Sequence, residues 1–119
     1  MRALSSYTIP MNLSEKKCVA CEGGIPPLAK EAVETYKKEI NPAWSVIDNV
    51  KIKRSFTFKD FVHAMKFINQ VAECAEAEGH HPDIFVSYNK VDISLWTHAT
   101  QGLSENDFIM ASKIDIIST

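Results

Sequence analysis

Apolar positions recur along this chain with a spacing that switches between helical and strand-like. Leu28, Ala32, Val33, Tyr36 and Ile40 fall on one face of a helix over residues 28–40, the 3.6-residue stripe of an amphipathic element. Pro27 suits the first turn of that helix, and Asn41-Pro42 stops it. Residues 44–47 read as a short strand and Asp48-Asn49 as a tight turn. In 50–58, Val50, Ile52, Phe56 and Phe58 point one way, with Arg54 the exception, so one face of this strand is buried. Residues 58–78 form the longest helix, with an apolar stripe of Phe61, Val62, Met65, Ile68, Val71, Ala72 and Ala75. Thr57 is placed to cap its start and Gly79 to end it. Two more strands, 84–88 and 91–98, meet at Asn89-Lys90, and Ser104 caps a last helix through 113 or beyond.

The order is helix, two strands, long helix, two strands, helix. Strands joined by short turns pair antiparallel, and the helices must cover their apolar face. The expected fold is α+β with two layers, a four-stranded antiparallel sheet carrying helices on one face. The other sheet face is left to water or a partner. At 119 residues a single domain is expected, over 15–119, with 1–14 as a flexible N-terminal tail.

A charged fraction of 24% and a net charge of −2 argue against a nucleic-acid binder acting through a broad basic surface. No stretch reaches the roughly 18 apolar residues of a membrane span. Met1 to Leu13 lacks the apolar core of a secretory signal. An odd set of cysteines, Cys18, Cys21 and Cys74, does not read as a disulfide framework and fits a reducing compartment. The expected location is the cytoplasm, with an organelle-targeting remnant near Arg2 as the alternative. Cys18-x-x-Cys21 has the spacing of half a zinc site or a dithiol, but no second pair accompanies it. An ordered turn with buried thiols is the expected structure.

Chemistry concentrates in two places. In Glu76-Ala-Glu-Gly-His80-His81-Pro82, Glu76 lies four residues after Ala72 and so on the expected buried stripe, where a carboxylate needs a partner. His80 and His81 follow, held between Gly79 and Pro82. Histidine exchanges protons near neutrality. In 91–98, Val91, Ile93, Leu95 and Thr97 share one face, and Asp92, Ser94, Trp96 and His98 the other. His98 ends that strand, held by a rigid scaffold yet able to reach a cleft. A histidine pair at a helix end is most simply a solvated terminus, and a lone strand-end histidine is most often structural. The three histidines with Glu76 together weigh against that simple view.

These runs, Glu76-x-x-x-His80-His81-Pro82, Tyr88-Asn89-Lys90-Val91-x-Ile93-x-Leu95-x-Thr97-His98 and Gly102-Leu103-Ser104-x-x-Asp107, closely resemble the pterin-4a-carbinolamine dehydratase family. Phe58-Lys59-Asp60-Phe61 and Trp44 also match, over about residues 42–115. The segment Cys18 to Leu28 resembles the N-terminal signature of members outside animals. The resemblance implies a hydro-lyase that dehydrates 4a-hydroxytetrahydropterin to quinonoid dihydropterin, regenerating the pterin after aromatic hydroxylation, with no cofactor and no metal.

It further implies His80 and His98 as proton donors and acceptors on opposite sides of the pterin, with His81 holding or polarising the substrate. Glu76, Trp44, Pro82, Thr97 and Asp107 are implied as substrate-binding or site-margin residues. Animal members carry an acidic residue where Gly79 stands; its role is absent here or shifted to Glu78. A homo-oligomer, dimer or tetramer, is also implied.

Two other readings compete. Three histidines with Glu76 match the donor types of a zinc or iron site, although adjacent histidines rarely turn to one ion. The animal member of the family also binds a homeodomain transcription factor through the helical surface used for its own tetramer. A protein-binding role on the outer face of the long helix, near His63, Lys66, Phe67 and Gln70, is therefore the non-enzymatic alternative.

Overall fold

The alternation of β2 (Lys51–Thr57) sends Ile52 and Phe56 into the core, while Lys53 and Ser55 face the other way. The same division governs β4 (Lys90–Leu95), where Val91, Ile93 and Leu95 are fully buried. These two strands form the middle of a four-stranded antiparallel sheet of order β1-β2-β4-β3, with β1 (Ser45–Ile47) and β3 (Asp83–Ser87) at the edges. In this computed structural model, which describes residues 12–19 and 25–119, three helices complete the fold: α1 (Lys30–Lys37), α2 (Phe61–Glu78) and α3 (Glu105–Ile117). They cover one sheet face, so the fold is α+β as the sequence predicts. On the other face Ser55 Oγ donates to Asp92 Oδ1 at 2.6 Å, with Lys53 Nζ 3.9 Å from Oδ2.

Arg54 breaks the apolar alternation because it has a partner on the helix side. Its Nη1 donates to Asp115 Oδ1 at 2.6 Å, and its guanidinium lies 4.4 Å from the centre of the Phe56 ring. The Trp44 indole donates to the same oxygen at 2.7 Å, and the Asn41 amide to Oδ2 at 3.0 Å. One carboxylate thus ties α3 to β2 and to the segment before β1.

The long helix differs in phase from its expectation. Ala64, Phe67, Val71 and Ala75 are its buried residues, whereas Phe61 and Val62 are 48% and 72% exposed. Phe67, read as an outer-face residue, instead packs in the core, its ring tilted against those of Phe56 and Phe58 with centroids 4.8 and 4.9 Å away. Both alternatives have 3.6-residue spacing, and only the aromatic partners Phe56 and Phe58 decide between them. The helix begins at Asp60 rather than Thr57; Asp60 Oδ1 accepts from the His63 amide at 2.9 Å. It ends as expected at Gly79, in the left-handed conformation with φ 67°, which glycine adopts without a Cβ penalty.

At the other end of the chain, α1 is shorter than predicted: Ala29 before it is extended, and the Leu28 amide donates to the Leu103 carbonyl at 2.9 Å instead of entering the helix. The tail expected over 1–14 does not include its last residues. A 3-10 turn at Leu13–Glu15 buries Leu13 against α3. Residues 1–11 and 20–24, with Cys21 among them, lie outside the described residues.

Candidate active site

The left-handed turn at Gly79 releases the chain from α2 and turns His80 back toward the start of α3. His80 Nε2 meets Asp107 Oδ1 at 2.6 Å, with Asp107 fully buried and the His80 side chain 12% exposed. Asp107 Oδ2 accepts from the Thr97 hydroxyl and the Ser104 amide, both at 2.9 Å. A carboxylate only accepts, so Nε2 of His80 carries the proton and donates. The Ser104 and Thr97 hydroxyls are 2.7 Å apart; with Thr97 donating to Asp107, Ser104 donates to Thr97. Asp107 is also the third residue of α3 and closes a capping box with Ser104. Helix initiation and histidine orientation thus share one side chain.

His81 faces the other way. Its Nε2 lies 2.5 Å from Glu76 Oε2, with both side chains exposed, 59% and 78%. The expectation that Glu76 lies on the buried stripe is incorrect. Ala75 is the core residue, and the next position is rotated by about 100° around the helix. Glu76 still finds a histidine partner, because the turn at Gly79 brings His81 past the helix end.

His98 opens a 3-10 turn, His98–Thr100, after β4. Thr97 and Gly102 bridge across it, Thr97 N to Gly102 O at 2.9 Å and Gly102 N to Thr97 O at 3.2 Å. The Thr100 hydroxyl donates to the Gly102 carbonyl at 3.1 Å, inside the loop. Gly102 is required by its neighbour: a Cβ there would stand 2.7 Å from Pro27 Cβ. His98 itself is exposed, its ring 3.9 Å from that of Trp96 at 38°.

The three histidines meet in one cleft of about 380 Å³, within the roughly 300–1,000 Å³ of small-molecule sites. Its lining includes His80, His81, Pro82, Thr97 and His98. Asp107 lies behind the wall, reached through His80, and Glu76 stands at the rim through His81. Trp44 is not brought to the cleft. It is 1% exposed, in the core, with its indole bonded to Asp115. The lining also includes Val19, Asp83, Trp96 and Asn106, which the sequence reading did not single out. Trp96 shares a strand face with His98, and that periodicity is the signal by which it was legible.

Glu78 does not take the place of a carboxylate before the histidines. Its side chain is 8% exposed and faces the N-terminal segment, accepting from the Cys18 amide at 2.8 Å and pairing with Lys113 at 3.4 Å. Burial pushes the Glu78 carboxyl up, but the Cys18 amide and Lys113 outweigh it and leave it below its ordinary range. Burial, aided by the Glu78 charge, pushes the half-buried Cys18 thiol up to about 12, so at neutral pH it stands as the thiol. Among the described residues no cluster of three His, Cys, Asp or Glu side chains is arranged as metal ligands; His80 and His81 turn to different carboxylates.

A family model described as Pterin 4 alpha carbinolamine dehydratase matches residues 26–117. A provisionally named pterin-4-alpha-carbinolamine dehydratase of Nitrosomonas eutropha is 46% identical over 106 residues, covering 89% of this chain and 93% of that protein. A provisionally named one of Alkaliphilus metalliredigens is 44% identical over 104 residues, covering 87% and 94%. The crystal structure of a transcriptional coactivator/pterin dehydratase from Brucella melitensis aligns with a TM-score of 0.74 at 37% identity, over 78% of this chain and 99% of that one. The chain belongs to the pterin 4 alpha carbinolamine dehydratase family, whose name, like those of the two relatives above, is that of a dehydratase, that is, a hydro-lyase.

Proposed function

We propose that this protein dehydrates 4a-hydroxytetrahydropterin to quinonoid dihydropterin and so returns oxidised pterin to its cycle. The observation that carries this reading is the convergence of His80, His81 and His98 in one cleft. The reaction breaks the C4a–O bond as a proton reaches the leaving hydroxyl, and water departs. A second proton leaves N5 as the C4a=N5 bond forms. No electrons are exchanged with a partner, so proton transfer by positioned side chains suffices, each supplying on the order of 10²–10⁴ in rate.

His80 and His98 form the proton-transfer pair in this reading, and His81 holds the substrate. Asp107 supports the first role by fixing the His80 tautomer, which leaves Nδ1 with its lone pair. Glu76 supports the third by orienting His81, and Pro82 and Thr97 shape the wall. The test is the rate of dehydration of enzymatically generated 4a-hydroxytetrahydropterin. His80→Ala and His98→Ala each lower kcat on the order of 10²-fold with pterin binding retained, as expected for transition-state interactions. His81→Ala weakens binding instead. Near wild-type kcat in the first two variants would overturn the assignment.

The working form in this reading is a homo-oligomer. Every residue of β3 is exposed, including Ile84, Phe85 and Val86, and its outer edge lacks a strand partner among the described residues, a template for pairing. A monomer in light scattering at micromolar concentration would count against this. Two observations favour a second reading as a protein-binding module: Phe61 and Val62 expose apolar surface on α2, and the Brucella protein is described as a transcriptional coactivator as well as a pterin dehydratase. Capture of a transcription factor with loss of the homo-oligomer would support that reading.

A further inference from the structure

His80 and His81 are each oriented by a carboxylate, whereas the ring of His98 has no hydrogen-bond partner among the described residues. Its one ring contact is Trp96, with centroids 3.9 Å apart at 38°. Trp96 is itself held. Its indole N–H donates to Asp83 Oδ2 at 3.3 Å. Asp83 is the first residue of β3 and stands opposite Ser94 in the β3–β4 register, two residues before Trp96. The bond therefore joins neighbouring strands and fixes the indole at the point where β4 gives way to the His98 turn.

We propose that Trp96 is a positioning residue for His98: anchored by Asp83, the indole holds the imidazole in the orientation it needs in the cleft. The catalytic consequence rests on the dehydratase reading above; the clamp itself does not. An exposed side chain on a short turn changes rotamer on the picosecond to nanosecond scale. A general acid or base has to lie within hydrogen-bond reach of its proton, and a misplacement of about 1 Å costs up to on the order of 10²-fold. His80 meets that requirement through a buried carboxylate. His98, on the rim, has an aromatic face instead. Trp96 and Asp83 also line a second cavity of about 410 Å³ with Ile47, Asp48, Val50 and Lys51, so the clamp forms the partition between the two spaces.

The experiment compares Trp96→Ala, Trp96→Phe and Asp83→Ala with wild type in two readouts. The first is kcat and KM for dehydration. The second is the NMR of the His98 ring protons and the side-chain couplings that report rotamer averaging. Trp96→Ala lowers kcat on the order of tenfold to a hundredfold with KM little changed. Trp96→Phe restores most of that loss because a ring remains. Asp83→Ala, which leaves the indole in place but unanchored, falls between them and releases His98 into several rotamers. An unchanged His98 rotamer in Asp83→Ala and Trp96→Ala overturns the clamp. So does a rise in KM with kcat unchanged, which would make Trp96 a platform for substrate. A wild-type protein without dehydration activity overturns the dehydratase reading, and the NMR of His98 then decides the clamp alone.

Discussion

Asp107 carries more of the site than any other single side chain. It is fully buried and accepts from His80, Thr97 and the Ser104 amide. Asp107→Asn keeps the volume but replaces one acceptor oxygen by a donor, so one bond of the set is lost or reversed. If that bond is the one to His80, the imidazole takes the other tautomer and its free nitrogen no longer bears the lone pair. The variant is expected to lose on the order of 10²-fold or more in kcat while remaining folded by circular dichroism. Asp107→Ala removes the acceptor of the buried Thr97 hydroxyl and of the part-buried His80 ring and Ser104 amide, and lowers stability by about 3 kcal/mol, read as a fall in the urea midpoint. From the sequence, only the family resemblance puts Asp107 at the site; its bond to His80 spans 27 positions and depends on where α3 packs against the end of α2.

At the scale of elements, α3 is buried along most of its first two turns, from Asn106 to Ala111. No amphipathic stripe emerges, because the N-terminal segment packs over the side that α2 and the sheet leave open. That segment is held by Glu78, through the Cys18 amide and Lys113, and by the Lys113 ammonium donating to the Ser14 carbonyl at 3.0 Å. The folded pKa of Glu78 is lowered from its ordinary 4.5. A depressed folded pKa contributes stability above the unfolded value, and that contribution is lost as pH falls through the folded one. Glu78→Gln is therefore expected to be less stable than wild type by about 1–2 kcal/mol at neutral pH. Urea unfolding at a series of pH values should show that difference shrink below about pH 4.5. The protection of the Cys18 amide against hydrogen exchange, relative to the intrinsic rate at each pH, should fall in the same range.

For the whole molecule, Asp115 joins α3 to the sheet through Arg54 and to the entry of β1 through Trp44 and Asn41. Arg54 and Asp115 are 16% and 17% exposed, so removing one partner strands the other in a poorly solvated place. Asp115→Ala is expected to lower stability by about 3 kcal/mol, measured by urea unfolding, while KM is unchanged because Asp115 does not line the cleft. The paired change Arg54→Met with Asp115→Leu removes both charges and should recover most of that loss. A recovery no better than the single change would assign the cost to the Trp44 indole instead.

The sequence by itself determined the order and type of the elements, the antiparallel pairing, the glycine at the end of the long helix and the three histidines of the cleft. The elements and their pairing rest on local rules of period and turn chemistry, and the histidines on the family resemblance that their motifs carry. Tertiary structure decided the phase of α2, since two stripes of equal period share Val71 and Ala75, and Phe56 and Phe58 select Ala64 and Phe67 for the rest. That choice moved Glu76 to the surface and Phe67 into the core. It also decided the partner of each histidine. Asp107, Glu76 and Trp96 are near their histidines because of a helix start, a helix end and a strand exit that meet in space. Trp44 carries the same lesson in reverse: a motif match placed it at the site, and the single carboxylate of Asp115 holds it in the core instead.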